Sequence, residues 1–272
     1  MQPKFSYTVA TPDTRTKALA WSGDPETIFK KLSEMGYAGV ELFLRDPDEL
    51  DAEWYRETTQ RYGLAVPAIG TGLTGAEDKL SFTDPDEKGR RKAIDRAKRI
   101  VDFAAVVNSQ VNIGKFRGLL GGHPEAKEWM RAAFAEVCGH ADKAGVFITL
   151  EPQNRFGIDN MTSTREALDW VRAQKLPRLK LMLDTFHMQI DDPCMPASLV
   201  EAADLNIHVH FADTNRDRPG TGSIDFAMVL RMLKALRYDR FISLEINQTP
   251  DSETAARQAL AYLNELCAAI WQ

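Results

Sequence analysis

The sequence lacks the features that would place the protein in a membrane, outside the cell or on nucleic acid. No apolar run approaches the roughly 18 residues of a membrane span, and the first residues, MQPKFSYTVATPDTRTK, have no apolar core of a signal peptide. The three cysteines form no C-x-x-C pair, which favours a reducing compartment. A formal net charge of -5 gives no protein-wide basic field for nucleic acid. We therefore expect a cytoplasmic protein that acts on a small molecule, with no nucleic-acid or membrane partner.

A glycine-rich phosphate turn is also missing after the first strand-like run, where the sequence reads TVATPDTRTK. An open, doubly wound parallel sheet would be expected to carry such a turn there. The length of 272 residues fits a closed (β/α)₈ barrel instead, since such barrels typically have about 250 residues. A core of that size needs no disulfides.

Short apolar or β-branched runs recur along the chain, as expected for parallel strands buried on both faces. They lie at residues 5–10, 39–43, 65–70, 110–114, 146–151, 179–184, 207–213 and 241–246. The clearest helical patterns lie at residues 23–37, 83–107, 123–145, 163–174, 223–239 and 252–270. This alternation contains no linker or low-complexity tract. It predicts an α/β fold in which residues 1–272 form a single (β/α)₈ TIM barrel domain.

Polar residues end four consecutive strand-like runs in the second half of the chain: Glu151, Asp184, His210 and Glu245. Their spacings of 33, 26 and 35 residues each match one βα unit, so the side chains should converge at the carboxyl ends of the strands. One such residue alone would more often be a helix cap or an ion-pair partner. Three carboxylates held together repel one another unless a cation neutralises them. We expect one divalent metal at this set, Mn²⁺ first, with Mg²⁺, Co²⁺ and Zn²⁺ as alternatives.

Two histidines lie two positions apart in HVHFADTNRDRPGTG, residues 208–222. Their side chains point the same way from the strand but at different depths of the barrel. His210, nearer the carboxyl end, is the expected metal ligand. His208 is expected to be a hydrogen-bonded residue of the layer below, or a support of the site from there.

A basic, glycine-rich segment, NIGKFRGLLGG, follows the fourth strand-like run at residues 112–122. With its amides and cations it could hold a phosphate or carboxylate of the substrate. On this interpretation Lys115, Arg117 and Arg155 bind substrate. The alternative is that these are solvated loop charges. Glu41 and Trp21 either line the pocket or are structural.

Four segments carry a resemblance to a known family: LEPQNRF (150–156), LDTFH (183–187), HVHFADTNRDRPGTG (208–222) and SLEI (243–246). They resemble the xylose isomerase-like TIM barrels, and within these the D-tagatose/D-psicose 3-epimerase branch. In that branch a Glu, an Asp, a His and a Glu bind one divalent metal, at the spacing of the four residues above. The resemblance also implies that His187 and Arg216 bind substrate, and that the protein is a homo-oligomer, a dimer or a tetramer.

The sequence departs from that branch at one position. The 3-epimerases carry a second Glu six residues beyond the first metal ligand, where it positions catalytic and substrate groups. This chain has Gly157 there, and a glycine cannot make that hydrogen bond. Asp159 or Asn154 could fill part of the space. The substrate is therefore left open between a free ketose, a sugar phosphate and a keto acid.

The function expected from these features is that of a metal-dependent ketose isomerase or epimerase. Glu151 would remove the proton next to the substrate carbonyl and Glu245 would return one, while the metal stabilises the enediolate. A first alternative is a metal-dependent dehydratase or lyase for an inositol-type or keto-sugar substrate. More remote are a non-catalytic sugar-binding barrel and a DNA-repair enzyme like endonuclease IV. The latter needs more histidine ligands than the five histidines present.

Overall fold

The computed structural model describes residues 2–16 and 19–271 and shows a closed barrel of parallel strands. Its eight strands are β1 (Lys4–Ala10), β2 (Gly39–Phe43), β3 (Ala68–Gly70), β4 (Gln110–Ile113), β5 (Ile148–Leu150), β6 (Leu179–Asp184), β7 (Asn206–Phe211) and β8 (Phe241–Leu244). Each strand pairs with the next. The pairing of β1 with β8, from Lys4 opposite Phe241 to Tyr7 opposite Leu244, closes the ring. The predicted (β/α)₈ barrel is confirmed.

Helices cover the outside of this ring, and two short ones lie at its carboxyl end. The helices are α1 (Pro25–Met35), α2 (Ala52–Arg61), α3 (Gly72–Asp78), α4 (Glu87–Val106), α5 (Ala126–Ala144), α6 (Thr164–Gln174), α7 (Thr185–Asp191), α8 (Met195–Glu201), α9 (Phe226–Ala235) and α10 (Ser252–Ile270). The two at the carboxyl end are α3 and α7. Most of the longer helices begin after a capping Asp or Ser. The Asp24 carboxylate accepts from the Thr27 amide before α1, for example, and the Asp251 carboxylate accepts from the Thr254 amide before α10.

Two kinds of element differ from the sequence-based expectation. The run at 65–70 shortens to β3 because Pro67 has no N–H for the ladder. Helices α3, α7 and α8 have only seven residues each, too few for a 3.6-residue period to stand out.

A two-residue strand, Trp21–Ser22, pairs with the end of β1. Trp21 packs edge-on against Tyr7 at a ring distance of 6.3 Å and belongs to the core.

The strands are buried on both faces, as parallel strands under helices must be. Every residue of β2 to β5 and of β7 is buried. The outer layer of the core is aromatic around α5. There the Phe134 ring lies 5.5 Å from the ring of Phe82 and 5.0 Å from that of Trp170. Among the described residues, no helix is both long and apolar enough to cross a membrane.

Phe134 and Phe156 allow a matched test of this packing, since Phe134 has no exposed surface and Phe156 is 82 % exposed. Phe134→Ala should lower the free energy of unfolding by about 3–5 kcal/mol, because it leaves a cavity among aromatic rings. Phe156→Ala should change it by no more than about 0.5 kcal/mol. Urea unfolding followed by circular dichroism measures both. Equal effects of the two substitutions would contradict this description of the core.

Candidate metal centre

The four strand-end residues meet because their strands are neighbours in the barrel. Glu151 directly follows β5, Asp184 ends β6, and Glu245 directly follows β8. His210 lies in β7, opposite Asp184 in the register with β6. One ligand atom from each side chain lies within 4.8 Å of the others. The structure thus brings together all four residues that the sequence places at strand ends.

His210 presents its Nδ1 atom to the three carboxylates. Nδ1 lies 3.1 Å from Glu245 Oε2, 3.9 Å from Asp184 Oδ2 and 4.0 Å from Glu151 Oε1. Glu151 Oε1 is buried and has no hydrogen-bond partner among the residues that the structure describes, and a buried polar atom without a partner is costly. A divalent cation among these oxygens and the imidazole nitrogen would satisfy it. The donor set therefore fits one divalent metal.

The carboxylates influence one another electrostatically. Burial, and then the charge of Glu245, raise the pKa of Glu151 to about 7. For Asp184 burial also raises the pKa and is the largest single influence, but the adjacent guanidinium of Arg216 together with His187 and His210 outweighs it and leaves the pKa below its usual value. The two carboxyls therefore differ in proton affinity within one cluster. Without a bound cation, the Glu151 carboxyl exchanges its proton nearer neutral pH than the Asp184 carboxyl does.

Glu41 at β2 holds the metal-facing histidine from the other side of its ring. Glu41 Oε2 lies 2.9 Å from His210 Nε2 and 2.9 Å from His208 Nε2, and His208 Nε2 also lies 2.9 Å from Ser243 Oγ. A carboxylate on the far nitrogen fixes the tautomer that leaves Nδ1 free to bind a metal. His208 thus lies in the layer below the site. The sequence left open whether Glu41 lines the pocket or is structural. Its contact with His210 gives it a structural role, as a support of that histidine.

Two amide side chains that the sequence did not predict as part of the site hold Glu151. Its Oε2 atom accepts from Gln153 Nε2 at 2.8 Å and from Asn112 Nδ2 at 3.2 Å, which leaves Oε1 to face the cluster. Gly114 makes this arrangement possible, since a Cβ there would lie 2.7 Å from Glu151 Oε2. The signal available in the sequence was Asn112, a polar residue inside a strand-like run that ends at a glycine.

His187, in the first turn of α7, points its Nε2 atom at the cluster, 3.8 Å from Glu151 Oε1. Its Nδ1 atom lies 2.8 Å from the side-chain nitrogen of Asn154. The Asn154 backbone amide also donates to Nδ1, at 3.3 Å, so Nδ1 is an acceptor and Nε2 carries the proton. Burial lowers the pKa of His187 to about 3. The imidazole is therefore neutral and offers an N–H to a molecule in the site.

Arg216 reaches the cluster from the loop after β7. Its Nη1 atom lies 2.6 Å from Asp184 Oδ2, and Nη2 donates to Glu245. Its backbone is left-handed, at φ 63°, a conformation that costs a non-glycine residue on the order of 1–3 kcal/mol. The buried Asp213 carboxylate holds this loop by accepting the amides of Gly220, Thr221 and Ile224. Asp213 was not expected to have this role.

The expectation that Arg117 binds substrate is corrected by its surroundings. Arg117 has no exposed surface, and its guanidinium points into the protein. It donates to Asn160 Oδ1 and to the backbone carbonyls of Gly114, Glu151, Asn160 and Met161. A side chain with all these bonds has no donor left for a ligand. Arg117 instead joins the ends of β4 and β5 and fixes the backbone of Glu151.

Arg155 and the glycine-rich segment also differ from the expectation. Arg155 turns away from the site and pairs with Asp191 at the end of α7, whose carboxylate accepts the Arg155 amide at 2.7 Å. Asp159 accepts the amides of Leu120 and Gly121, so these amides are not free to bind an anion. Because Asp159 makes these bonds, it does not take the place of the Glu that the 3-epimerases carry at the position of Gly157. Of the basic residues expected to bind substrate on this side, only Lys115 faces the site.

A cavity of about 530 Å³ lies over the cluster, within the size range of small-molecule sites. Its polar lining comes from Lys115, Gln153, Asn154, His187, Arg216 and Glu245. Its apolar lining comes from Leu19, Phe43, Leu73, Phe156, Phe186 and Ile190. A mostly apolar wall with a few convergent polar groups is typical of a small-molecule binding site.

The comparisons with known proteins agree with this geometry. The family model described as xylose isomerase-like TIM barrel matches residues 29–266. A ketose 3-epimerase from Arthrobacter globiformis is 29 % identical over 81 % of this chain and 78 % of its own length. An L-ribulose 3-epimerase from Methylomonas sp. (strain DH-1) is 29 % identical, over 84 % of this chain and 82 % of its own length.

A solved structure gives the same fold. The D-allulose 3-epimerase from Methylomonas sp., in complex with D-allulose, superposes with a TM-score of 0.80 and 24 % sequence identity. The match covers 97 % of each chain. The barrel architecture is therefore shared along nearly the whole length.

Gly114→Ala should weaken metal binding, because the added Cβ would also lie 2.5 Å from Gln153 Nε2 and push the support of Glu151 aside. We expect Mn²⁺ affinity to fall by about 10- to 100-fold, as for other groups that position metal ligands. Gly139→Ala is the matched control. It lies in the middle of α5 with nothing within 4 Å, and should stabilise the protein by about 0.5–1 kcal/mol. Isothermal titration with Mn²⁺ measures the first effect; unchanged affinity would refute the role of Gly114.

Glu41→Gln tests the support of His210. The amide keeps the shape but cannot accept from both imidazoles with a full negative charge, so we expect Mn²⁺ to bind about 10- to 100-fold more weakly. Glu34→Gln is a control for the same chemical change on the surface, where the Glu34 side chain is 63 % exposed. Mn²⁺ titration monitored by electron paramagnetic resonance reports the free ion. If both variants bind like the wild type, Glu41 does not position His210.

Proposed function

This chain belongs to the xylose isomerase-like TIM barrel family, and we propose that it is a divalent-metal-dependent epimerase or isomerase of a sugar or sugar-derived substrate. The observation that carries the proposal is the cluster of Glu151, Asp184, His210 and Glu245, with ligand atoms within 4.8 Å of one another. Curated relatives include ketose epimerases and an isomerase, hydroxypyruvate isomerase, which supports the reaction class.

Glu151, Asp184, His210 and Glu245 would hold the cation, with Mn²⁺ as the first expectation and Mg²⁺, Co²⁺ or Zn²⁺ as alternatives. When bound, a divalent cation polarises the substrate carbonyl and increases the acidity of the neighbouring C–H group. The protein contributes the fixed geometry of the donors through Glu41, Asn112 and Gln153.

Glu151 and Glu245 are the proposed acid–base pair. They follow β5 and β8, three strands apart around the barrel, so they approach a molecule in the cavity from different sides. Glu151 would remove the proton from the carbon next to the carbonyl, and the substrate becomes an enediolate. Glu245 would return a proton to the opposite face or to the adjacent carbon. Two carboxyl groups on different sides are the minimum for inversion of a carbon by proton transfer.

Three further residues are proposed to bind the substrate. The Nε2–H group of His187 would donate to a substrate oxygen, and the Arg216 guanidinium would stabilise the negative charge that develops after proton removal. Lys115 would bind from the outer side of the cavity. The apolar wall, including Phe43 and Phe186, would keep bulk water from the enediolate.

Two expectations from the sequence stay predictions: a cytoplasmic location, and a homo-oligomer in the form of a dimer or tetramer. Fractionation of cells and sedimentation of the purified protein would measure these directly.

Proton exchange in D₂O tests the proposed chemistry. The Mn²⁺-loaded enzyme should introduce deuterium next to the carbonyl of a ketose. Glu151→Gln and Glu245→Gln should each lower the rate by about 10²- to 10⁴-fold, because each removes one of the two proton-transfer groups. Mass spectrometry and NMR measure the label, and Glu34→Gln serves as the surface control.

Three results would contradict the proposal in different ways. Retained exchange in both Gln variants would remove the acid–base assignment. Full exchange after chelation of all metal would remove the metal dependence. A product lighter by one water would instead indicate the alternative dehydratase or lyase activity.

A further inference from the structure

Lys115 occupies the space that a side chain at position 157 would need. Lys115 begins the single helical turn Lys115–Arg117 after β4, and its chain crosses directly over Gly157. A Cβ on Gly157 would lie 2.6 Å from Lys115 Cε and 2.8 Å from Lys115 Nζ, closer than carbon and nitrogen atoms can pack. The absence of a side chain at Gly157 therefore leaves room for the Lys115 ammonium group, whose flexible end a Cβ there would displace.

This ammonium group has no direct ion-pair partner within the described part of the chain. Lys115 is exposed and makes no hydrogen bond or ion pair there. Two other basic side chains of the described residues differ, because Arg216 pairs with Asp184 and Glu245 and Arg117 is fully buried. Lys115 thus presents a cation to the cavity that is available to a ligand.

Lys115 lies at the junction of two cavities. The first is the cavity over the cluster, and the second, of about 550 Å³, extends from it toward the loops after β3 and β4. Both are lined by Lys115 and Gly157, together with Gly72 and Ala76. A substrate whose reacting carbons lie at the cluster and whose chain extends outward would therefore meet the ammonium group at its far end.

A neutral substrate would not provide a negative charge for the Lys115 ammonium group. A substrate bound against the exposed Lys115 ammonium group displaces part of its water, which is unfavourable unless a group of opposite charge replaces that water. A carboxylate or a phosphate supplies that charge and makes the stronger, charge-assisted hydrogen bond. The amides of Leu120 and Gly121 are already bound by Asp159, so they do not compete with the Lys115 side chain for such an anion.

We propose that the substrate carries an anionic group, a carboxylate or a phosphate, at the end remote from its reacting carbons, and that Lys115 over Gly157 binds this group. The inference rests on the proposed function for the reacting end of the substrate. It assigns a charge-selecting role to the pair formed by Lys115 and Gly157.

Three probes that differ only at the sixth carbon test the charge preference: D-fructose, D-fructose 6-phosphate and D-fructuronate, the corresponding 6-carboxylate. Binding to the Mn²⁺-loaded protein is measured by isothermal titration at fixed ionic strength, together with deuterium exchange in D₂O. The better of the two anions should bind at least about tenfold more tightly than D-fructose, as expected for one hydrogen bond between charged groups. Which anion binds better distinguishes carboxylate from phosphate.

Two variants separate the charge from its position. Lys115→Met removes the ammonium group, and Gly157→Ala leaves it but displaces its end. Lys115→Met should reduce the affinity ratio of anion to D-fructose to near one. Gly157→Ala should reduce the ratio by less, because the flexible end of the lysine can shift, and Lys115→Arg should retain most of it. Lys175→Met is the control, since Lys175 is an exposed lysine just after α6, at the opposite end of the barrel.

The possible failures are distinguishable. Equal affinities for the three probes, no binding of either anion, or a ratio that survives Lys115→Met would each overturn the charge-selecting role. If D-fructose exchanges deuterium without any preference for anions, the proposed function stands and this inference fails. If the anion preference depends on Lys115 but no probe exchanges deuterium, the inference stands and the proposed function fails.

Discussion

Three carboxylates and one imidazole converge at the carboxyl end of this barrel, and much of the surrounding structure serves to keep them together. Glu151 and Asp184 are almost fully buried, so their mutual repulsion is poorly screened. Arg216 supplies a positive charge to Asp184 and Glu245, and a divalent cation would supply more. The left-handed backbone of Arg216 and the hydrogen bonds from the loop amides to Asp213 place that guanidinium beside the two carboxylates.

The two halves of the chain contribute differently to this centre. Strands β5 to β8 carry or precede the four candidate ligands, whereas β2 and β4 contribute Glu41 and Asn112, which hold His210 and Glu151 in place. The barrel closure between β1 and β8 fixes the two halves relative to each other. Because the supports come from distant segments, the positions of the ligands depend on the complete ring of strands.

The sequence predicts the barrel and the convergence of the four residues for one physical reason. A parallel barrel places all strand ends on one face, so a polar residue that ends an apolar run is assigned a location without any knowledge of contacts. No comparable rule predicts the direction in which a side chain of a loop residue points. Arg117 and Arg155 follow strands in the same way as Lys115, yet one turns inward to backbone carbonyls and the other outward to Asp191. Their partners lie up to 44 residues away, where a single sequence gives no signal.

Gly157 illustrates a related limit and its consequence. In the sequence it is a missing hydrogen-bonding group, and only the structure shows that the vacated space is used by Lys115. A Glu at this position could offer a carboxylate to the outer cavity. With Gly157, the cavity is offered the ammonium group of Lys115 instead. The cluster of candidate ligands does not depend on this position, since Glu151 is held by Asn112 and Gln153 rather than by anything at position 157. On the proposed function, the residues that hold Glu151 in place and the residue that selects the charge of the substrate are therefore separate.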